Sequence, residues 1–420
     1  MPSEPSSSPP RPESARWYVD AGLAVVVGAL AYALSCFVIG PGDEAKGFGV
    51  DWLSLSRDPA LLQCRFPHRM LAPVLAWSLG LGGANYLLFV RGLAVLLLAT
   101  VFFFGRRRGL AVVDAALVAV AIALTAPIQL YKDHWVGYPD PICYSLFLAN
   151  LLVAKRPVLF WGVWFVNLTN HELAAFLLPW LWFVRREAGG RVLHDVVGAG
   201  AGLAVYAAYY FAIKAKAQQL FSYEYFANHP LFPGGTVVVL ALALVHLVVA
   251  WGPVLAVLAW HQHTRAHGRE RLHLWLVALG IGVIFCIAFD WARHSNLILV
   301  PFVLASVRFL QSGHRIAYGV LVAVGAGLML WIPPWAPSAW PTDAMANINL
   351  LVETGMVNPL PPRFEGDLNV HFGSVSTALG VWVPRVAALL GPIVAMAVAI
   401  WGVGFWLARR DRAATSGRAA

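Results

Sequence analysis

The sequence predicts an all-α polytopic membrane protein, and three observations carry that fold class. Of 420 residues, 59% are hydrophobic and only 12% charged, whereas a soluble globular chain carries about 25% charged residues. Apolar runs of about 20 residues recur along the chain, each long enough to cross ~30 Å of hydrocarbon as a helix. The basic residues behind the net charge of +9 gather in short clusters between those runs. They are Arg106, Arg107 and Arg108; Lys155 and Arg156; Arg185 and Arg186; Arg265, Arg269 and Arg271; and Arg409, Arg410 and Arg412. Such clusters mark cytoplasmic loops. No basic stripe interleaved with aromatics is present, which excludes a nucleic-acid surface.

Taken in order, residues 1–16 are rich in Ser and Pro and read as a disordered cytoplasmic tail. Residues 17–408 form a single transmembrane domain. Spans are expected at 17–40, 84–105, 109–130, 141–154, 194–214, 236–260, 273–289, 297–311, 316–335 and 384–408. Residues 409–420 form a second cytoplasmic tail. The first outer loop, 41–83, carries MLAPVLAWSLGL, which reads as an interfacial helix. A second long outer segment, 336–383, is rich in Pro and Asn and reads as a lid.

The run from Val158 to Val184 needs separate treatment, because VNLTNHELAAF places His171 and Glu172 in its middle. A carboxylate at the centre of a bilayer costs about 3 kcal/mol or more on insertion scales. Basic pairs flank the run on both sides, at Lys155/Arg156 and Arg185/Arg186. One helix would put a pair on the outer side and invert every later cluster. A hairpin of two half-helices keeps all the clusters inside and moves Glu172 to an outer tip. The hairpin brings the total to about 12 membrane segments, some short or broken, with both termini inside.

Four outer segments then bring polar residues to one face: the first loop with Asp43 and Asp51, the second with Asp133, His134 and Asp140, the hairpin tip with His171 and Glu172, and DWARHSN with Asp290, Arg293 and His294. Asp43 is equally a solvated turn residue. Arg65 and Arg69 are four apart and would share a helix face, where two guanidiniums suit a phosphate or anchor to lipid headgroups. Asp140 would cap or start the helix after it, and Asp290 and Arg293 would pair across one helical turn. Glu172 would pair with an Arg or cap the second half-helix if it has no catalytic role. The cysteines lack metal-ligand spacing and read as small apolar residues. The histidines near the eighth span are scattered, so no metal site is expected. No GxxxxGK[ST], HExxH, GxSxG or paired CxxC occurs.

An acidic first outer loop, interfacial helices after it, broken short spans and about a dozen crossings together resemble the GT-C superfamily of integral-membrane glycosyltransferases. RFPHRMLAP, Arg65 to Pro73, is similar to an Arg-x-Leu-x-Pro pattern of bacterial members, and NHELAAFLLPW and DWARHSNLILVPF are similar to later outer-face segments. The resemblance implies transfer of a sugar from a polyprenyl-phosphate donor on the extracytoplasmic face of a bacterial inner membrane. It places the catalytic carboxylate at Asp51, or at Asp43 if the loop folds differently. Glu172 and His171 would orient the acceptor or act as the base themselves. Arg65, Arg69, Arg293 and His294 would hold the donor phosphate, and Asp133, His134, Asp140 and Asp290 would serve as acceptor-side or structural polar residues. The expected partners are membrane lipid and the lipid-linked sugar; no organic cofactor is predicted. The competing classes are a transporter or flippase for a lipid-linked or small anionic substrate, and a non-catalytic scaffold.

Overall fold

A computed structural model describes residues 13–62, 64, 66–133, 135–217, 247–248, 251–285, 291–331, 358–359, 370–371 and 375–416. The helices are α1 (Glu13–Ser35), α2 (Gly49–Arg57), α3 (Leu71–Ser78), α4 (Tyr86–Arg107), α5 (Val112–Ala123), α6 (Ala126–Asp133), α7 (Asp140–Val153), α8 (Pro157–Asn170), α9 (Leu173–Phe176), α10 (Leu178–Glu187) and α11 (Val192–Lys216). They continue with α12 (Leu255–His263), α13 (Leu272–Phe285), α14 (Trp291–His294), α15 (Leu299–Gln311), α16 (Arg315–Trp331) and α17 (Val375–Ser416). Among the described residues, β pairing is confined to a two-residue antiparallel ladder joining Asn358–Pro359 to Val370–His371.

Among the described residues, four helical stretches are long and apolar enough to cross a membrane: Trp17–Ser35, Gly83–Arg107, Val192–Lys216 and Ile393–Ala413. A fifth exists if Val112–Ala123 and Ala126–Lys132, bent by 45°, count as one. The expected total of about twelve is therefore not supported. The reason is helix length: α7 and α8 have 14 residues each, α15 has 13 and α10 has 10, roughly 15–21 Å at 1.5 Å per residue. The apolar runs are longer than the helices because prolines and polar residues break them. α1 begins at Glu13, inside the expected disordered tail, and α17 extends through Val375–Ser416, taking in the end of the lid and most of the second tail. Residues 236–246 of the expected eighth span and most of the lid lie outside the described residues.

Where helices break, side chains take over the freed backbone groups, as an apolar surrounding demands. At the α5–α6 bend, the Thr125 hydroxyl donates to the carbonyls of Ala121 (2.9 Å) and Ile122 (3.1 Å). The Gln129 amide donates to the carbonyl of Ala123 at 2.7 Å. α7 and α8 run antiparallel and are cross-linked by Asn150 donating to the Phe160 carbonyl (2.7 Å) and Asn167 to that of Cys143 (3.2 Å). α11 packs on α8 through Gly198 and Gly202. A methyl group there would come within 2.3 Å of the Trp161 ring and 2.8 Å of the Trp164 ring, respectively. Small residues four apart let helices approach closely in this way.

The Val158–Val184 run turns back on itself. Arg185, at the end of α10, donates to the Asp195 carboxylate at 2.7 Å and to the carbonyl of Ala154, just before α8. Trp161, near the start of α8, donates to the same carboxylate oxygen at 3.0 Å. Both ends of the run thus meet at a buried ion pair, with Arg185 2% and Asp195 0% exposed. The ion pairs sort into two groups at opposite ends of the helices. Asp20–Arg106, Asp114–Arg315, Glu270–Arg308, Asp195–Arg185 and His314–Asp411 lie at what we call the Arg106 end. Asp43–Arg91, Glu172–Arg69 and Asp140–Arg293 lie at the Arg69 end.

Removing one partner of a buried pair leaves an uncompensated charge, at a cost of about 3–5 kcal/mol. Asp195→Ala is therefore expected to destabilise the protein by that amount. Trp161→Phe, which removes one hydrogen bond, should cost about 1 kcal/mol. Tryptophan-fluorescence unfolding in detergent measures both, and near-equal losses would contradict the assignment of Asp195 as the staple of the hairpin.

Candidate active site at the hairpin break

α8 ends at Asn170, and His171 leaves the helix in an extended conformation (φ −159°, ψ 126°). Its Nδ1 accepts from the Leu173 backbone N–H at 3.2 Å. A neutral ring that accepts at Nδ1 carries its proton on Nε2. The break turns Glu172 toward the first loop, where Arg69 donates through Nε to Oε2 at 2.8 Å and through Nη2 to Oε1. This is a two-point guanidinium–carboxylate pair, the strong form of the contact. Arg69 is buried, with its guanidinium 4.2 Å from the centroid of the Phe66 ring. His68 Nε2 stands 3.4 Å from Glu172 Oε2, and the Tyr209 hydroxyl of α11 donates to the His68 carbonyl at 2.9 Å.

A second pair stands beside the first. Arg293 in α14 donates to Asp140, the first residue of α7, at 2.5 and 2.8 Å, with both side chains no more than 3% exposed. The guanidinium also lies 4.9 Å from the Tyr138 ring and 5.7 Å from that of Trp52 in α2. The Tyr144 hydroxyl donates to the Arg293 carbonyl at 3.2 Å. The next residue, His294, joins the two halves, its ring lying edge-on to His171 with centroids 6.2 Å apart.

Electrostatics divide these groups cleanly. Burial, then the positive charge of Arg69, pushes the His171 imidazole well below its ordinary value. Burial and Arg293 do the same to His294. Both rings are neutral at pH 7. For Glu172, burial works to raise the carboxyl, but Arg69 and the two neighbouring imidazoles outweigh it and hold the group well below the usual carboxylate range. The centre thus holds two neutralised ion pairs and neutral imidazoles. Among the described residues, His68 Nδ1, His171 Nε2, His294 Nδ1 and the Asn170 amide are buried without a hydrogen-bond partner. Buried polar atoms ordinarily have one, so this is where a polar ligand would be held.

Several expected residues fall elsewhere. Asp43 is 91% exposed and pairs with Arg91 at 2.9 Å, away from the cluster. Asp51 sits in the first turn of α2, half-buried, beside Trp52, whose ring lies against the Arg293 guanidinium. Arg65, His134 and Asp290 lie outside the described residues, and Asp133 is described only as the last residue of α6. Arg69 itself lies in a turn between Phe66 and α3, and the helix face expected for it and Arg65 falls outside the described residues. Asp140 makes no capping bond: it pairs with Arg293, 153 residues further along the chain, and the expected Asp290–Arg293 pair lies outside the described residues. Sequence reasoning missed His68, although it stands beside Arg69 in RFPHRMLAP, and missed the aromatic walls Trp52 and Tyr138. Among the described residues no group of three or more His, Cys, Asp or Glu is placed to hold a metal.

Compared with known protein families, curated proteins and solved structures, the chain matches none of them.

Acid should weaken this centre in two stages. A histidine whose folded value is lowered contributes stability that fades as pH falls below its unfolded value, near 6.5. The Glu172 contribution fades only as pH falls below the unfolded carboxyl value, near 4.5. The unfolding midpoint is expected to drop between pH 7.5 and 5.5, and His294→Gln should flatten part of that slope. A midpoint independent of pH over that interval would contradict neutral, buried imidazoles.

Proposed function

We propose that the protein is a membrane glycosyltransferase that moves a sugar from a polyprenyl-phosphate donor to an acceptor hydroxyl on the extracytoplasmic face. The observation that carries the reading is the meeting of the first loop, the hairpin break, the start of α7 and α14 in one polar centre at the Arg69 end. In membrane terms, that end is the outer face and the Arg106 end the inner one.

The resemblance puts the base at Asp51. The geometry favours His68 oriented by Glu172. A carboxylate only accepts, so His68 meets it with Nε2–H and keeps a lone pair at Nδ1. The same logic orients the imidazole in a carboxylate–histidine pair of hydrolases. The acceptor oxygen attacks the anomeric carbon, forming the new C–O bond as its proton passes to His68 Nδ1. The bond between the anomeric carbon and the phosphate oxygen breaks, and its electron pair leaves with the lipid phosphate. Arg69 Nη1, which Glu172 does not use, and the His171 Nε2–H stabilise that charge.

The competing reading, a transporter or flippase, is favoured by the ionised Glu172 in an apolar run. It is weighed down by the position of the charged residues: Asp140 opens α7 and Glu172 lies past the end of α8, so neither is midway along a helix.

Transfer from a labelled polyprenyl-phosphate sugar by purified protein in lipid distinguishes these assignments. His68→Ala and Glu172→Gln are expected to lower kcat by about 10²–10⁴-fold, and Asp51→Asn by under about tenfold. The reverse order would move the base to Asp51. Vectorial uptake into proteoliposomes without sugar transfer would replace the enzyme reading by the transporter one.

A further inference from the structure

At the Arg106 end, α4, α7, α10, α13 and α15 surround a cavity of about 860 Å³. Four cationic side chains line it, Arg107, Arg108, Lys155 and Arg308, against two carboxylates, Glu187 and Glu270. Both carboxylates are already engaged. Glu270 takes a two-point contact from Arg308, at 2.9 Å through Nε and also through Nη2. Glu187 lies 2.9 Å from His273 Nε2, and His273 Nδ1 accepts from Trp180 at 3.0 Å, so that ring is a neutral donor.

Arg107, Arg108 and Lys155 have no ion-pair partner among the described residues. Partial burial, and then the like charge of Arg308, draws the Arg108 guanidinium below its ordinary value. Like charges held together at a partly desolvated site are stabilised by a bound anion. One side of the wall is aliphatic, with Leu151 and Leu152 from α7 and Leu304 and Val307 from α15, and Gln311 adds a polar amide. The cavity is far larger than one inorganic anion and combines a cationic face with an aliphatic one.

We propose that this cavity binds the phosphate of an anionic phospholipid headgroup, with the upper part of its acyl chains against Leu151, Leu152, Leu304 and Val307. Basic recesses between helices at a cytoplasmic surface suit such headgroups. The site lies at the other end of the helices from the candidate active site and is independent of the reaction assigned there.

The test is a titration of purified full-length protein in neutral detergent with phosphatidylglycerol, phosphatidylcholine or inorganic phosphate, reading the unfolding midpoint. Phosphatidylglycerol is expected to raise the midpoint saturably, and phosphatidylcholine to leave it unchanged. Arg107→Gln combined with Arg108→Gln and Lys155→Gln should weaken that effect at least tenfold. The charge-preserving combination Arg107→Lys, Arg108→Lys and Lys155→Arg should keep most of it, as should Arg91→Gln at the other end. If the neutralised combination does not fold, Lys155→Glu alone at the exposed rim replaces it, with the same direction of effect. An equal shift with phosphatidylcholine, or undiminished binding by the neutralised protein, overturns the site. An equal shift with inorganic phosphate, lost in the neutralised protein, overturns the lipid and leaves a soluble phosphate compound as the ligand.

Discussion

The pairing of Glu172 with Arg69 is the contact on which the arrangement depends. A carboxylate in an apolar run is tolerated only with a partner, because the surroundings supply no water to take its place. Arg69 belongs to a loop 103 residues earlier in the chain, so satisfying one charge fixes the loop to the hairpin. That contact orders the Phe66–Arg69 turn, which carries His68, and the aromatic contacts of Trp52 with Phe66 and Tyr138 extend the order to α2 and the Asp140–Arg293 pair. The break in the hairpin also frees the Leu173 N–H, and His171 takes it at the cost of its own proton position. One local demand therefore determines both where the His171 ring stands and which of its nitrogens is protonated.

The same demand explains why charge gathers at the helix ends. Each described ion pair joins residues from one end only, while α7, α8 and α9 are tied to one another by amides and an indole donating to carbonyls. Two chemically distinct ends result. One is compact, with its cations neutralised in pairs beside neutral imidazoles; the other carries cations in excess around an open cavity. The polar centre of the first is closed by the aromatic walls of Trp52 and Tyr138.

Some of this was readable in the sequence. Basic residues on both flanks of the Val158–Val184 run imply ends that lie together, and the ends do meet at Arg185 and Asp195. Within MLAPVLAWSLGL the structure forms a short separate helix, α3. What hydropathy hides is where a helix stops. A window average treats Pro157, Asn170, Thr125 and Pro179 as small interruptions, whereas each redirects the backbone. Partner choice is hidden as well: the Asp140 carboxylate that Arg293 grips opens a helix 153 residues away in sequence. Nor could helical spacing anticipate a turn at Arg69, because Pro67 and the chain before α3 do not continue a helix.

Gly202 illustrates how far one missing atom can reach. Its hydrogen leaves room for the Trp164 ring, and Trp164 Nε1 in turn holds the Ala174 carbonyl at 2.9 Å, two residues beyond Glu172. Position 202 thus acts as a gauge block: the thickness of the side chain there sets the depth of an indole, and the indole sets the height of the short helix that presents the carboxylate. Bulk added on the flank of α11 would be read out at the Glu172–Arg69 pair, in a part of the protein it never touches.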